Sequence, residues 1–247
     1  MREKRSFPER QMKQKHIFYT ELCYVLGILI LAFGTALMER ADLGVSMVVA
    51  PAYILHLAIS PVLPFFTFGM AEYTMQAVLL ILMIVIVHRF RISYLFSFIT
   101  ALIYGFVLDG MIALVALLPE LNLVFRIILF LLGLVLDAFA IALLFHTYIS
   151  PEVYELFVME FSDKFHVNIH KCKTYYDCIS CLFSILLSFL FFGFGHFEGI
   201  KIGTVFCALV NGLLISLCSK FWESHFIFKD RFPTFKKFFG AQSSRRE

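Results

Sequence analysis

Charged residues are scarce in this chain, and their scarcity excludes an ordinary soluble domain. Only 16% of the 247 residues are Asp, Glu, Lys or Arg, whereas 60% are hydrophobic. Soluble domains carry about 25% charged residues. The mean hydropathy is +0.85, which is also far from the soluble range. The composition therefore predicts an integral membrane protein.

The sequence patterns of common enzyme and metal-site classes are missing as well. The chain has no nucleophile elbow, no phosphate-binding loop and no HExxH motif. Its six cysteines include one CxxC pair, Cys178 and Cys181, which lies inside an apolar run and has no second pair. Neither a disulfide framework nor a zinc site is therefore expected. We expect no enzyme activity, no cofactor and no metal.

What the chain does have is a set of six apolar runs long enough to cross a membrane. About 20 helical residues span the roughly 30 Å of hydrocarbon. The runs are Thr20–Met38, Met70–Val87, Leu95–Leu118, Ile127–Phe145, Cys178–Phe194 and Ile202–Cys218. A polar arm without a persuasive cleavage site precedes the first run, which indicates a retained helix. The sequence predicts an all-α, polytopic transmembrane helix bundle with six spans.

Two further apolar segments are too short to span. Val45–Ala58 contains Pro51 and His56, and Ser150–Phe161 carries three glutamates. Segments of this length are more often re-entrant or interfacial than spanning. Irregular backbone survives at membrane depth only where it is buried in protein or lines a cavity. Because the two segments take corresponding places in the two halves, they point to a transport site.

The distribution of Lys and Arg favours six spans over eight. With six, the two termini and the loops 88–93 and 160–174 share one side, which holds 18 of the 21 basic residues. The positive-inside rule then makes that side cytoplasmic. Eight spans would move Arg89 and Arg91 outside without compensation. Three spans in each half also make the two halves inverted relative to each other.

The two halves resemble each other in sequence. Tyr24–Pro51 aligns without gaps on Phe130–Phe157, with an offset of 106 residues and matched glycines at Gly27 and Gly133. Further on, the motif that ends at Gly105 matches the one that ends at Gly212. We predict an inverted 3+3 repeat, with a substrate site where the copies meet. The expected divisions are a basic arm at 1–16, membrane repeats at 17–118 and 119–219, and an aromatic-basic tail at 220–247.

Carboxylates inside the apolar runs are the main functional candidates: Glu72, with Tyr73 beside it, Asp109, Asp137 and Asp177. A charge at the bilayer centre costs at least about 2.5–3.5 kcal/mol, so each needs a partner, a cavity or a proton. We expect no Lys or Arg at comparable depth. A cavity lined by such carboxylates binds cations or protons. The alternative is that each one is protonated or hydrogen-bonded to a neighbouring helix.

The start of the first short segment adds Ser46 as a candidate. Glu39–Ser46 forms its beginning, and Gly44 is expected to allow the tight turn that a broken helix needs. A broken helix can present unpaired backbone N–H groups to a substrate. The acidic and basic residues of this stretch can equally form an ion-pair cluster at the surface.

The start of the second short segment adds Glu152. Ser150 and Pro151 before it are typical of a helix N-terminus. Glu152 and Glu155 are three residues apart and would share one face of the helix, so both can face the same aqueous pocket. They can also point into the cytoplasm.

The C-terminal tail interleaves aromatic and basic residues over Phe221–Phe239. A short helix on anionic headgroups explains this pattern, and a flexible tail explains it equally well. Nucleic-acid binding is not expected, because the topology already accounts for the basic charge. The expected partners are the lipid bilayer and a small-molecule or ion substrate. A homo-oligomer and a membrane partner protein both stay open.

Several short motifs resemble the YczE/YitT-type bacterial integral membrane proteins, in particular the YczE-like branch. They are Ala41–Ser46, Ser150–Pro151, Lys173–Thr174 and Gly199–Val205. Lys201 departs from the family pattern, in which the last motif commonly reads GIGT. The resemblance covers most of residues 20–219 and implies a multi-pass protein of the bacterial plasma (inner) membrane. The positive-inside rule places both of its termini in the cytoplasm. The resemblance implies no substrate.

Three functions remain open at this level. The first is a transporter of a small cationic or proton-coupled solute, with its binding site between the two repeats. The second is a non-transporting accessory or regulatory membrane protein, with a substrate-capture subunit of a larger complex as an intermediate form. The third is an intramembrane enzyme, which no residue pattern in the sequence supports. We expect the first.

Overall fold

The computed structural model describes residues 16–120, 122–167, 169–193 and 199–231, without the side chains of 16, 93 and 169–171. These residues form eight helices and two short strands. Nearly all of the predicted basic arm, and the tail from residue 232, lie outside them. The architecture is an all-α bundle, as the sequence predicts.

Six helices are long and apolar enough to cross a membrane, so the protein is an integral membrane protein. They are α1 (Thr20–Ala41), α3 (Phe68–Val87), α4 (Ile92–Val115), α5 (Leu123–Leu144), α7 (Ile169–Phe192) and α8 (Ile202–His225). Two shorter helices, α2 (Ala50–Ile59) and α6 (Val153–Phe165), follow α1 and α5. The order of long and short helices is therefore the same in both halves.

Helix α7 begins nine residues before the apolar run that predicts it. The run starts at Cys178, but the helix already starts at Ile169. The intervening turns are polar, yet Lys173 and Asp177 stand one turn apart and form an ion pair of 3.2 Å. Such a pair stabilises a helix without contributing to hydropathy. Asp177 consequently lies well inside a helix.

The centre of the bundle is an antiparallel crossing of α1 and α5. Gly34 and Gly133 meet there, because a Cβ on Gly133 would lie 2.6 Å from the Gly34 carbonyl oxygen. Small residues at such crossings let two backbones approach, and close van der Waals packing drives helix association in lipid. The crossing fixes the two halves against each other.

The bundle has two ends, which we call the base and the top. The base carries both described termini, residues 16–19 and 226–231, and the loop 88–91 between α3 and α4. The top carries the end of α1 and the start of α5, where Arg126 donates to the Asp42 carboxylate at 2.8 Å. At the base, the Tyr148 hydroxyl after α5 donates to Glu21 near the start of α1 at 2.9 Å.

The two short segments enter the bundle from opposite ends and meet inside it. The non-helical stretch 42–49 leaves α1 at the top, and Gly44 takes a φ of 124° beside Thr204 of α8. This positive φ is a backbone conformation that favours glycine, the residue expected to allow a change of chain direction here. The stretch 145–152 enters from the base. Met47 and Val48 of the first share a buried cluster with Tyr154 of the second.

The helices of the two halves pack in an exchanged pattern. Helix α1 packs on α4 and α5 packs on α8, while α2 packs on α7 and α6 packs on α3. Each short helix thus contacts a long helix of the opposite half. One contact differs: Gly105 of α4 touches Gly69 of α3, but Gly212 of α8 has no described atom within 4 Å of a Cβ position.

The described part of the predicted tail is divided between helix α8, which ends at His225, and a short strand. Phe226–Lys229 forms strand β2, which pairs in parallel with strand β1, His16–Tyr19. Phe18 packs against the rings of Trp222, Phe226 and Phe228 with centroid distances of 5.8, 5.5 and 6.4 Å. Trp222, Phe226 and Phe228 therefore pack on the N-terminal strand, and residues 226–229 form neither the surface helix nor the flexible tail that the sequence left open.

Candidate functional site

Gln76 of α3 holds the non-helical stretch before α6 in place. Its side-chain oxygen accepts the Val153 N–H at 3.0 Å, and its side-chain nitrogen donates to Glu152 Oε2 at 3.0 Å. On the other side, the Thr100 hydroxyl donates to the Ser150 carbonyl at 3.2 Å. Backbone groups that leave a helix inside a membrane need such partners, since no water replaces them. Polar side chains of α3 and α4 therefore position the Glu152 carboxylate.

Glu72 lies one turn from Gln76 on the same face of α3. The Tyr154 hydroxyl of α6 donates to Glu72 Oε2 at 2.9 Å, and Gln76 lies beside the same carboxylate. Val153 and Tyr154 are the first residues of α6, so the positive end of its helix dipole faces Glu152 and Glu72. This orientation stabilises negative charge at the site.

Asp137 of α5 contributes a third carboxylate from the second half. The Asp137 side chain packs against Gly34 of α1, which has no side chain and so leaves room for the carboxyl group. Thr35, the next residue of α1, lies beside the same carboxyl group. Tyr104 of α4 donates its hydroxyl to Thr35 Oγ1 at 3.0 Å. The same hydroxyl interacts electrostatically with Glu72, Glu152 and Asp137.

These three residues, Glu72, Asp137 and Glu152, form what we call the carboxyl cluster. Their exposed fractions are 0%, 3% and 6%, so all three are closed off from solvent. Each retains one buried carboxyl oxygen with no hydrogen-bond partner among the described residues. Three ionised carboxylates buried together repel one another. The cluster therefore has oxygens available for a proton or a cation, either of which would relieve this repulsion.

A second acidic group lies between the cluster and the base. Glu155 of α6 and Asp177 of α7 flank the Lys173 ammonium, at 3.9 and 3.2 Å from Nζ. We call these three residues the base triad. The expectation that no basic residue shares the depth of the candidate carboxylates is wrong for Asp177, because α7 extends further towards the base than its apolar run. Tyr176 connects the groups, since it lies within electrostatic range of Glu155, Asp177 and Glu72.

Asp109 lies apart from these groups and caps a helix. It accepts the Thr67 hydroxyl at 2.6 Å and the Gly69 N–H at 2.8 Å, while Thr67 Oγ1 accepts the Met70 N–H at 3.1 Å. These contacts satisfy N–H groups at the start of α3 that have no partner within the helix. The structure gives Asp109 the alternative role left open above, a carboxylate hydrogen-bonded to a neighbouring helix.

We expect Asp109→Ala to lower stability without changing solute binding. The substitution removes two hydrogen bonds and the charge at the helix N-terminus, which together contribute about 1–3 kcal/mol. The measurement is thermal denaturation of purified protein in detergent, with Asp163→Ala as a matched change at an exposed acid. A melting temperature equal to that of Asp163→Ala would contradict the capping role.

Tyr73 and Ser46 also lie elsewhere. The Tyr73 ring faces α4, 6.3 Å from the Phe106 ring and beside Gly105, so it contributes to the α3–α4 contact. Ser46 is buried before α2, and its carbonyl accepts the N–H groups of Val49 and Ala50 at 3.1 and 2.9 Å. Its carbonyl opens the turn into α2.

Asp42 organises an ion-pair cluster at the top. Arg126 of α5 contacts its carboxylate and its carbonyl, both at 2.8 Å, and Lys201 before α8 contacts the carboxylate as well. Arg40 donates to the carbonyl of Leu118 at 2.9 Å. The ion-pair interpretation of Glu39–Ser46 therefore fits, with partners that come from the second half. These contacts tie the end of α1 to the starts of α5 and α8.

A cavity of about 290 Å³ lies at the base, beside Arg89, Arg91, Glu160, Lys164 and His166. At the top, a narrow cleft beside Glu39, Asp42, Gly44 and Lys201 leaves no room for a water molecule. Neither is lined by a member of the carboxyl cluster, whose residues are at most 6% exposed. The conformation described here therefore closes the cluster off from both ends.

Sequence reasoning missed several residues that complete the site. Gln76 had a signal, since it follows Glu72 by four residues within an apolar run and must share its helical face. Tyr104 lies in the repeated motif that ends at Gly105, but the motif does not indicate which neighbouring helix the Tyr104 side chain contacts. Thr35 and Tyr154 carry no distinct pattern, and only the packing of α1 and α6 brings them to the carboxylates.

The chain matches a known family over most of its length. Residues 18–220 match the family described as "Family of unknown function (DUF6198)", which includes all eight helices up to the last turns of α8. The chain belongs to this family. No curated protein and no solved structure matches it. The match supports one membrane unit that extends over both halves and leaves the arm and tail outside it.

Proposed function

We propose that this protein transports a small solute, with a cation or a coupling proton bound at the carboxyl cluster. One observation carries the proposal: Glu72, Asp137 and Glu152 come from both halves, are buried together, and each keeps an oxygen without a partner among the described residues. Ionisable groups at such depth are expensive and usually functional. Asp109 caps a helix and Asp42 forms ion pairs, so both have a structural role. Neither role accounts for Glu72, Asp137 and Glu152.

The non-helical stretches support the proposal. Two broken segments enter from opposite ends and place the start of α6 against Glu72 and Glu152. Interrupted helices near the midplane form the solute and ion sites of many secondary transporters. A purely structural protein has no need of irregular backbone and three acids at this depth, because uninterrupted apolar helices span the membrane at a lower energetic cost.

An inverted 3+3 repeat would supply the movement. The exchanged packing of α2 on α7 and of α6 on α3 agrees with a two-fold relation between the halves. Rocking of one half against the other would open the cluster to each side in turn. The Asp42 ion pairs close the top, and the contact of Arg91 with Glu160, at 3.0 Å, lies at the base. Opening the top would require the Asp42 contacts to separate.

The charge distribution supports an orientation with the base in the cytoplasm. Arg89, Arg91, Lys164 and Lys173 lie towards the base, and the top retains Arg40, Arg126 and Lys201. Both termini then face the cytoplasm of a bacterial cell, with the bundle in the inner membrane. The resemblance to the YczE-like branch points the same way and stays a prediction.

A flux assay tests the proposal. The protein is reconstituted into liposomes that contain a pH-sensitive dye, and gradients of sodium, potassium, methylammonium or guanidinium are imposed. We expect the wild type to carry at least one of these ions or protons. Asp137→Asn is expected to lower the rate at least tenfold, because it removes charge from the cluster at nearly constant volume.

The matched control is Glu120→Gln, which neutralises an exposed acid in the loop after α4. It should keep the wild-type rate. Equal rates for Asp137→Asn and Glu120→Gln would remove the cluster from the mechanism. An absence of proton and cation flux in wild-type liposomes would contradict transport of this class and would favour the accessory role.

A further inference from the structure

The base triad has an arrangement that a simple structural ion pair does not require. Lys173 lies between two acids from two different helices, Glu155 of α6 and Asp177 of α7, at 3.9 and 3.2 Å. One ammonium thus serves two carboxyl groups, so the triad has one acid more than it has bases. The exposed side-chain fractions are 29% for Lys173, 19% for Glu155 and 20% for Asp177, so the group is half-buried rather than solvated.

The triad is also continuous with the carboxyl cluster. Glu155 of α6 follows Glu152 by three residues, and the two carboxyl groups interact electrostatically. Glu155 interacts with Glu72 in the same way. Five acids therefore form one acidic region contributed by α3, α5, α7 and the start of α6, and Lys173 is the basic residue that contacts it in the described part of the chain.

Lys173 has the reach and chemistry of a movable cation. Its ammonium is a compact charge on a flexible four-carbon stem, unlike the planar, fixed fork of arginine. It lies on the base side of the cluster, between α6 and α7. A cation that arrives there meets carboxylates already contacted by an ammonium.

We propose that Lys173 is a tethered cation that occupies the base-side mouth of the carboxyl cluster and competes there with the transported cation. The inference rests on the proposed function and assigns a second, alkylammonium-like site to Glu155 and Asp177. When a free cation binds the cluster from the base, it displaces the ammonium from Glu155. When it leaves, Lys173 returns and offsets part of the negative charge.

Chemical rescue tests the site itself. Lys173→Ala removes three methylenes and the ammonium, and propylammonium replaces that fragment. We expect propylammonium to raise the melting temperature of purified Lys173→Ala, because it fills the space between Glu155 and Asp177. The controls are Lys220→Ala, at an exposed lysine of α8, and 1-propanol, which has the same shape without charge. Equal shifts for the two variants, or equal shifts with propanol, would overturn the proposal.

Flux tests the competition. With the base side facing the gradient, the half-saturating concentration of the ion carried by the wild type should fall about tenfold in Lys173→Ala, within the usual range of couplings between sites. Lys173→Met keeps part of the side-chain stem without the charge, and we expect the same fall in half-saturating concentration. It replaces Lys173→Ala in the assay if the alanine variant is unstable. Propylammonium could stabilise Lys173→Ala while the half-saturating ion concentration stays at the wild-type value. That result would show that Lys173 is an ion-pair partner that does not compete with the transported cation.

The two proposals fail separately. If wild-type liposomes carry no proton or cation, transport and the competition are both overturned. The propylammonium experiment needs no transport, and its outcome still decides whether Glu155 and Asp177 hold a free ammonium. If transport is present and propylammonium has no selective effect, the carboxyl cluster keeps its role and the tether is rejected.

Discussion

Replacement of Gly133 by valine is expected to abolish the folded bundle. A Cβ at this position would lie 2.6 Å from the Gly34 carbonyl oxygen and 2.6 Å from Met38 Cγ. The carbonyl belongs to a helix backbone and cannot move aside, so α1 and α5 must separate along their crossing. Overpacking of this kind costs about 3 kcal/mol or more. Size-exclusion profiles after stepwise heating in detergent measure the loss.

The matched control for this change is Gly212→Val on α8. Gly212 aligns with Gly105 in the sequence repeat, but no described atom lies within 4 Å of its Cβ position. Both substitutions have the same helix propensity change and the same added volume. We expect Gly212→Val to keep the wild-type profile. Equal profiles for the two variants would contradict the close crossing of α1 and α5.

Glu152→Gln is expected to weaken binding of the transported cation, or of the coupling proton, at least 100-fold. A factor of 100 corresponds to about 2.8 kcal/mol. Glutamine keeps the shape and can still accept the hydrogen bond from Gln76, so the variant should fold with a wild-type or slightly higher melting temperature. The change therefore separates charge from structure at the start of α6.

Carbodiimide labelling provides the measurement for this prediction. Dicyclohexylcarbodiimide modifies protonated carboxyl groups in apolar surroundings, and mass spectrometry locates the modified residue. In the wild type, we expect labelling at Glu152 that a transported cation prevents. Glu120→Gln again serves as the control. If Glu152→Gln keeps the wild-type flux and cation affinity, Glu152 has no part in binding.

The acids of this protein divide by what surrounds them. Asp109 accepts N–H and O–H groups at a helix start, and Asp42 contacts Arg126 and Lys201. Glu72 and Glu152 accept from Tyr154 and Gln76, which provide hydrogen bonds but no positive charge. Capped and paired acids stabilise the fold, whereas uncompensated buried charge requires a ligand or proton. The substitutions above test this division.

Hydropathy predicted most of the fold. Four of the six apolar runs begin and end within four residues of their helices, since a span must be apolar over the thickness of the bilayer. Helix α8 continues for seven residues past its run. Helix α7 starts nine residues before its run, because the Lys173–Asp177 pair lets polar turns stay helical. Residues 226–229 were not predicted to form a strand, because their pairing with His16–Tyr19 is a long-range contact that local sequence pattern does not encode.

The candidate site was predictable only in part. Glu72, Asp137 and Glu152 stood out because ionisable residues in apolar surroundings are rare. Asp109 stood out equally and is a cap, since its partners Thr67 and Gly69 lie about 40 residues away in sequence. No spacing rule connects positions that far apart. Asp177 is intermediate: it lies next to the cluster, and Lys173 compensates its charge.

The sequence by itself determined the membrane environment, the six spans, the two short segments and the identity of the acids. These properties follow from composition and local periodicity, which can be read from neighbouring residues without knowledge of the fold. Only the tertiary structure decided which acids face one another, which are capped, and where Lys173 lies. Those outcomes depend on the α1–α5 crossing at Gly34 and Gly133 and on the meeting of two segments from opposite ends. Contacts between distant segments arise from packing, which no local pattern specifies.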